Sequence, residues 1–198
     1  MATQNNPAPH VFRLIPPAPI DIVRSDGMYS YNTAGQAYLD FESGCWATSL
    51  GHQHPATLAA LHHQSQQVIH LGTRYPNTVV ENTALELLSI CGIDQGQCFF
   101  LVSGSEAVEF AVQAACQCSR KPHLLVLSGS YMAAFGTSNK LEAPQWVTLD
   151  WQTCETCQGQ DCTQCSRLDA LDFSRIGAFV FESGSYAGQV KFPPAALI

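Results

Sequence analysis

The segment Phe99-Phe100-Leu101-Val102-Ser103-Gly104-Ser105-Glu106-Ala107-Val108-Glu109 reads as an apolar strand that enters a glycine turn and then a helix. Ser103 and Glu106 have capping-box spacing, which starts the helix beside Gly104. The free first-turn amides and the positive end of the helix dipole would face Gly104, which has no side chain to obstruct an anion, and Ser105, whose hydroxyl can donate. This is the chemistry of a phosphate cradle. The spacing is neither a Walker motif nor G-x-G-x-x-G, and an N-capped tight turn would look the same. A second cluster places Cys154, Cys157, Cys162 and Cys165 as two Cys-x-x-Cys pairs with Gly159 between them. Each pair can clamp an ion with two thiolates, and the short link lets both converge tetrahedrally, which suits zinc ahead of iron or an iron–sulfur cluster. A redox-active loop or reduced surface thiols are the alternatives for so tight a cluster.

The elements that must position these residues follow from periodicity. After Gly96 the chain shows short apolar runs at Cys98 to Val102, Leu124 to Leu127, Trp146 to Leu149 and Ala178 to Phe181. Runs that are apolar throughout suit strands covered on both faces in an α/β sheet. Between the first two, Ala107, Val108, Ala111, Val112 and Ala115 form one apolar side of a helix that Arg120-Lys121-Pro122 closes. Upstream, Met28 to Asp40 reads as a hairpin around Thr-Ala-Gly. Pro55 opens a helix expected to reach Gly72, and a second helix is expected over Val79 to Ser89. His52 and His54, in Leu-Gly-His-Gln-His-Pro, are expected to cap and order the turn before the first of these helices. Residues 1 to 20 hold five of the eleven prolines and read as an extended arm. The expected organisation is therefore residues 1–95 as an N-terminal arm, hairpin and helices, then residues 96–198 as the first part of a large α/β domain with a cysteine-rich insertion at 154–165.

Composition limits what this chain can do. Its 198 residues are 46% hydrophobic and only 13% charged, so little charge is available to cover a free surface, and part of that surface is expected to meet another chain. Nine Lys and Arg against sixteen Asp and Glu give a net charge of −7, the wrong sign for a phosphate-backbone binder, so nucleic acid is not an expected partner. No apolar stretch approaches a membrane span and the start, MATQNNPAPHVF, lacks the basic and apolar regions of an export signal. A cytoplasmic protein with no membrane partner is expected, its nine cysteines serving as thiols or metal ligands.

Tyr38-Leu39-Asp40-Phe41-Glu42-Ser43-Gly44, Leu50-Gly51-His52-Gln53-His54-Pro55 and Ser103-Gly104-Ser105-Glu106-Ala107, in that order, resemble the class III aminotransferases, pyridoxal-phosphate enzymes of fold type I. Leu127-Ser128-Gly129-Ser130-Tyr131 with Gly136-Thr137, Phe179-Val180-Phe181-Glu182, and Gly188 with Pro193-Pro194 continue the match from about Asp26 to the last residue. The resemblance implies that Gly104 and Ser105 bind the phosphate of pyridoxal 5′-phosphate, that Tyr131 lies against its ring, that Glu182 stands near the ring and substrate, and that Trp46 faces the substrate. Ring stacking suits an aromatic at Tyr131 on chemical grounds as well. Met132-Ala133 and Ser183 depart from the family's usual His-Gly and Pro.

The resemblance further implies amino transfer from a small-molecule amino donor to a 2-oxo acid or aldehyde, in a homodimer with its sites at the subunit interface. The family's catalytic lysine and the aspartate that pairs with the pyridinium nitrogen have no counterpart here, and Lys121, Lys140 and Lys191 match none of that context. On this basis the chain is expected to be the N-terminal half of such an enzyme, a partial fold type I protein unable to complete the reaction alone. The competing expectation is a non-catalytic metal-binding or interaction protein on the same scaffold, with the cysteine cluster as its working part.

Overall fold

The computed structural model describes residues 16–72, 74–151, 154, 162, 165–184 and 190–198. They form two compact units divided between Val80 and Glu81, upstream of the change in character near Gly96. Among the described residues no helix is long and apolar enough to cross a membrane.

The N-terminal unit contains an antiparallel sheet of β1 (Ile22–Asp26), β2 (Tyr29–Asn32) and β3 (Ala37–Leu39), in that order. The expected hairpin is β2 with β3, Tyr29 facing Leu39 and Tyr31 facing Ala37. Asn32 builds its turn: the side-chain oxygen accepts from the amides of Ala34 and Gln36 at 3.1 and 2.9 Å, and Gly35 takes the positive φ of +79°. Next comes α1 (Ser43–Trp46), a single turn of left-handed sense, with φ of +51°, +56°, +57° and +67° along its four residues. Then α2 (Pro55–Ser65) begins at proline, as expected, but ends well before Gly72. Gln64 Nε2 donates to the carbonyl of Val68 at 2.9 Å and Ser65 Oγ to that of His62 at 2.9 Å, so these polar side chains draw the backbone out of the helix. The division between the units falls within α3 (Thr78–Ile90).

In the C-terminal unit, α4 (Gly104–Ser119) precedes a parallel sheet of β4 (His123–Leu127), β5 (Trp146–Leu149) and β6 (Ile176–Val180). The order is β5-β4-β6, with Leu125 registered against Val147 on one side and Phe179 on the other. Both faces of β4 are covered, which is why its sequence does not alternate. Leu124 and Val126 pack with Val112 of α4, Met132 and Trp146; Leu125 and Leu127 pack on the opposite face with Leu149, Trp151 and Cys154. Near that second cluster Leu168, from the short α5 (Ser166–Asp169), adds a partly buried side chain.

One expected strand does not form. Cys98 to Val102 is not a strand, because no neighbour pairs with it among the described residues; Phe99 instead stacks its ring on Phe110 of α4 at 4.3 Å.

Candidate functional site

Ser103 caps α4 from an extended conformation, its Oγ accepting from the amide of Glu106 at 3.2 Å. The hydroxyl in turn donates to the Glu106 carboxylate at 3.0 Å. The serine half of the expected capping box is thus present, but the Glu106 carboxylate returns to the Ser103 hydroxyl in place of its amide. At the other end Arg120 adopts a left-handed conformation with φ of +54° and closes on the carbonyl of Cys116. The amides of Gly104 and Ser105 lie in the first turn, where a helix supplies no acceptor. A Cβ placed on Gly104 would meet nothing within 4 Å, so the backbone there faces open space.

Ser105 is tied to the loop after β4: its Oγ accepts from the amide of Ala134 at 2.9 Å. With its acceptor side engaged, the hydroxyl keeps its proton for an outside acceptor. Tyr131, in the same loop, has its amide bonded to Glu182 Oε2 at 2.9 Å, and its side chain is 52% exposed. Glu182 follows the last residue of β6 by two positions. Gly104, Ser105, Tyr131 and Glu182 therefore gather at the carboxyl ends of β4 and β6 and the amino end of α4, the edge at which open α/β sheets bind ligands. These four residues fit a phosphorylated aromatic cofactor: open helix amides, a hydroxyl donor, an exposed ring and a carboxylate.

Glu109 belongs to this edge too, and nothing in the sequence singled it out. Its carboxylate accepts from Gln113 Nε2 at 3.0 Å, Thr137 Oγ1 at 2.8 Å, and the Ser138 amide and Oγ at 3.0 and 2.8 Å. Partial burial pushes its acidity toward weaker, but the bonds from Gln113, Ser138 and Thr137 together outweigh that and hold the pKa at about 2. Gly136, with φ of +80°, sits so close that a Cβ there would lie 2.6 Å from the carboxylate. The signal lay in Gly136-Thr137-Ser138, three residues suited to wrap a carboxylate.

Trp46 lies in the N-terminal unit, 53% exposed, at the end of the left-handed turn. Asp40 holds the start of that turn, its Oδ1 accepting from the amides of Ser43 at 2.8 Å and Glu42 at 2.9 Å while Oδ2 meets His52 Nε2 at 3.3 Å. The Ser43 amide first, then that of Glu42, keeps the Asp40 carboxyl below its usual range. Asp40 and Ser43 line an open hollow of about 230 Å³ with Gly27, Thr48 and Gly51. His52 thus ties back to the turn that Asp40 holds and not to the one before α2, and His54 stands at the N-cap of α2 but its side chain makes no capping bond. Pro55 at the first helical position has no amide hydrogen, which leaves one donor fewer to satisfy.

Of the cysteine cluster, Cys157 lies outside the described residues, as do 155–156, 158–161 and 163–164. Cys154 and Cys162 are buried and Cys165 is partly exposed. Cys154 packs with Leu125, Leu127, Leu149 and Trp151, on the face of the sheet opposite α4. Among the described residues no group of three or more His, Cys, Asp or Glu is arranged to hold a metal ion.

A family model described as aminotransferase class-III matches residues 14–137. Acetylornithine aminotransferase of Aquifex aeolicus is 38% identical over 97 residues, 49% of this chain and 26% of that protein. Succinylornithine transaminase of Yersinia enterocolitica is 38% identical over 99 residues, 50% of this chain and 23% of that protein. The taurine:2-oxoglutarate aminotransferase of Bifidobacterium kashiwanohense, solved with PLP and glutamate, superposes with a TM-score of 0.78 at 19% identity, over 90% of this chain and 46% of that one. Acetylornithine aminotransferase of Elizabethkingia anophelis gives 0.73 at 21% identity, over 93% and 44%. The chain spans less than half the length of these two solved relatives.

Proposed function

Because the chain belongs to the class III aminotransferase family and carries part of its fold type I architecture, we propose that its C-terminal unit holds pyridoxal 5′-phosphate at the amino end of α4 and serves amino transfer. The amino group would pass from an amino donor to a 2-oxo acid or aldehyde acceptor. The observation that carries this function is the gathering of Gly104, Ser105, Tyr131 and Glu182 at one sheet edge through the Ala134–Ser105 and Tyr131–Glu182 hydrogen bonds. Bound pyridoxal phosphate supplies the electron sink for bond-breaking at the substrate α-carbon. The amides of Gly104 and Ser105 with the Ser105 hydroxyl bind the phosphate, and the helix dipole adds to that attraction. Tyr131 offers its exposed ring as a flat platform that fixes the plane of the cofactor. Glu182 orients that platform by holding the Tyr131 amide. In the N-terminal unit, Trp46 is assigned to the substrate.

No lysine is assigned to this site. Lys121 Nζ donates to the carbonyls of Phe173 and Ile176 at 3.2 and 3.1 Å, beyond the far end of α4 and roughly 23 Å along the helix from Gly104. This chain is expected to bind pyridoxal phosphate reversibly, with saturable absorbance change on titration. Borohydride reduction and peptide mapping should find no stoichiometric adduct on Lys121, Lys140 or Lys191. A full adduct on one of them would overturn the assignment of the edge.

The proposed protein is a homodimer. Low charge content supports this, as do apolar side chains left in solvent, among them Phe41, Ile69 and Val102 at 89%, 88% and 97% exposure. Sedimentation velocity should give twice the chain mass at micromolar concentration; a monomer throughout that range would refute it.

A further inference from the structure

We propose that Glu109 is a positioning residue for the cofactor site, clamping the Tyr131–Asn139 loop to α4 so that Ala134 orients the Ser105 hydroxyl and Tyr131 is presented beside the phosphate; this rests on the function proposed above. The loop carries the ring platform at one end and the 3₁₀ turn Thr137–Asn139 at the other. Glu109 takes three hydrogen bonds from that turn, two from Ser138 and one from Thr137. The restraint is passed back along the loop by Asn139 Nδ2, which donates to the Ala134 carbonyl at 3.2 Å, while the Ala134 amide donates to Ser105. Trp146 Nε1 fixes the Thr137 carbonyl at 3.1 Å, and Ser138 is fully buried, so the turn has a rigid floor. Glu109 lies on the same helix as Gly104 and Ser105, five and four residues on. Anchoring the loop there refers the ring platform and the phosphate donors to one rigid element, which is what precise placement of a phosphorylated ring requires.

A carboxylate is needed because every group aimed at it is a donor. Glu109→Gln replaces one of the two acceptor oxygens with an NH2 group, so the Oε1 bond from Thr137 and the Oε2 bonds from Ser138 can no longer all be kept. Gly136 completes the arrangement, since any side chain there would occupy the position of the carboxylate.

The test uses the intact chain with Glu109→Gln, Ser105→Ala and their double variant. Hydrogen exchange on the cofactor-free protein should show the Ala134 and Ser138 amides losing protection in Glu109→Gln, while the amides of Val112 to Cys116 in α4 keep theirs. Titration with pyridoxal phosphate should give affinity weaker by about tenfold, corresponding to one ordinary charge-assisted contact. The double variant should bind worse than Ser105→Ala alone by clearly less than the loss seen in Glu109→Gln, because one of the two routes by which Glu109 acts runs through that hydroxyl; a merely structural role would give additive losses. Unchanged Ala134 protection, or additive losses, would overturn the proposal. If Glu109→Gln does not fold, Thr137→Val removes one donor from the loop side and is expected to give the same pattern at smaller size. If the unaltered chain does not bind pyridoxal phosphate, the proposed function fails, while the exchange data still decide whether Glu109 clamps the loop.

Discussion

Ser105→Ala and Tyr131→Ala should each weaken pyridoxal phosphate binding by about ten- to a hundredfold, measured by absorbance titration of the purified chain. Ser105 uses its oxygen to accept from Ala134, so its proton is the part of the hydroxyl left for a phosphate oxygen. A hydrogen bond to a charged acceptor is worth roughly 1.5–3 kcal/mol, and its loss sets the size of the effect. Truncating Tyr131 acts differently, removing the ring platform while leaving its backbone bond to Glu182. Because that ring is half exposed, the fold should hold in both variants and circular dichroism should be unchanged. Wild-type affinity in both would reduce the amino end of α4 to a capped turn with no ligand.

Leu127→Ala is expected to lower stability by about 2–5 kcal/mol. Leu127 is 2% exposed in the central strand and packs with Leu125, Leu149, Trp151 and Cys154. The loss is a large share of the roughly 5–15 kcal/mol that holds an ordinary domain together. Trp151 reports on this cluster directly, its indole nitrogen donating to the Ser128 carbonyl at 2.9 Å. Urea unfolding followed by tryptophan fluorescence should show the midpoint falling sharply. Gln117→Ala, at an exposed side chain of α4, should move it by no more than about 0.5 kcal/mol equivalent. Equal midpoints for the two variants would mean that β4 is not the core of this unit.

Local rules carried the parts of the molecule whose determinants are close in sequence. Ser103, Glu106 and Arg120 mark the ends of α4, and Pro55 and the Asn32 turn mark α2 and the hairpin, because caps and turns are decided within a few residues. The apolar runs at 124–127, 146–149 and 178–181 were legible as strands for the same reason, although only the first is buried throughout; the second exposes Thr148 and the third is partly exposed along its length. Cys98 to Val102 has the same composition but no paired strand beside it among the described residues, and a strand is defined by its neighbour. β1 was missed because Ile22 to Asp26 shows no strict alternation and is recruited by β2 across Gly27 and Met28. Gly104 and Ser105 are legible as a phosphate cradle from the capped glycine turn, whereas Tyr131 and Glu182 rest on the family resemblance, and the gathering of the four depends on bonds spanning 29 and 51 residues that no local pattern encodes. The same distance hid Glu109, whose partners lie 28 and 29 residues downstream.

The strand order β5-β4-β6 sets a schedule for synthesis. β4 is made first but sits in the middle, so it emerges with both edges bare, and its second edge waits for β6, whose first residue follows Leu127 by 49 positions. At roughly 5–20 residues per second on the ribosome, that interval is on the order of 2–10 s. During it the segment His-Leu-Leu-Val-Leu, short, apolar and without proline or glycine, is a template for pairing with any other nascent strand. Yield of soluble protein should therefore depend on translation rate and on chaperones that shield β4 more than on the final stability of the sheet.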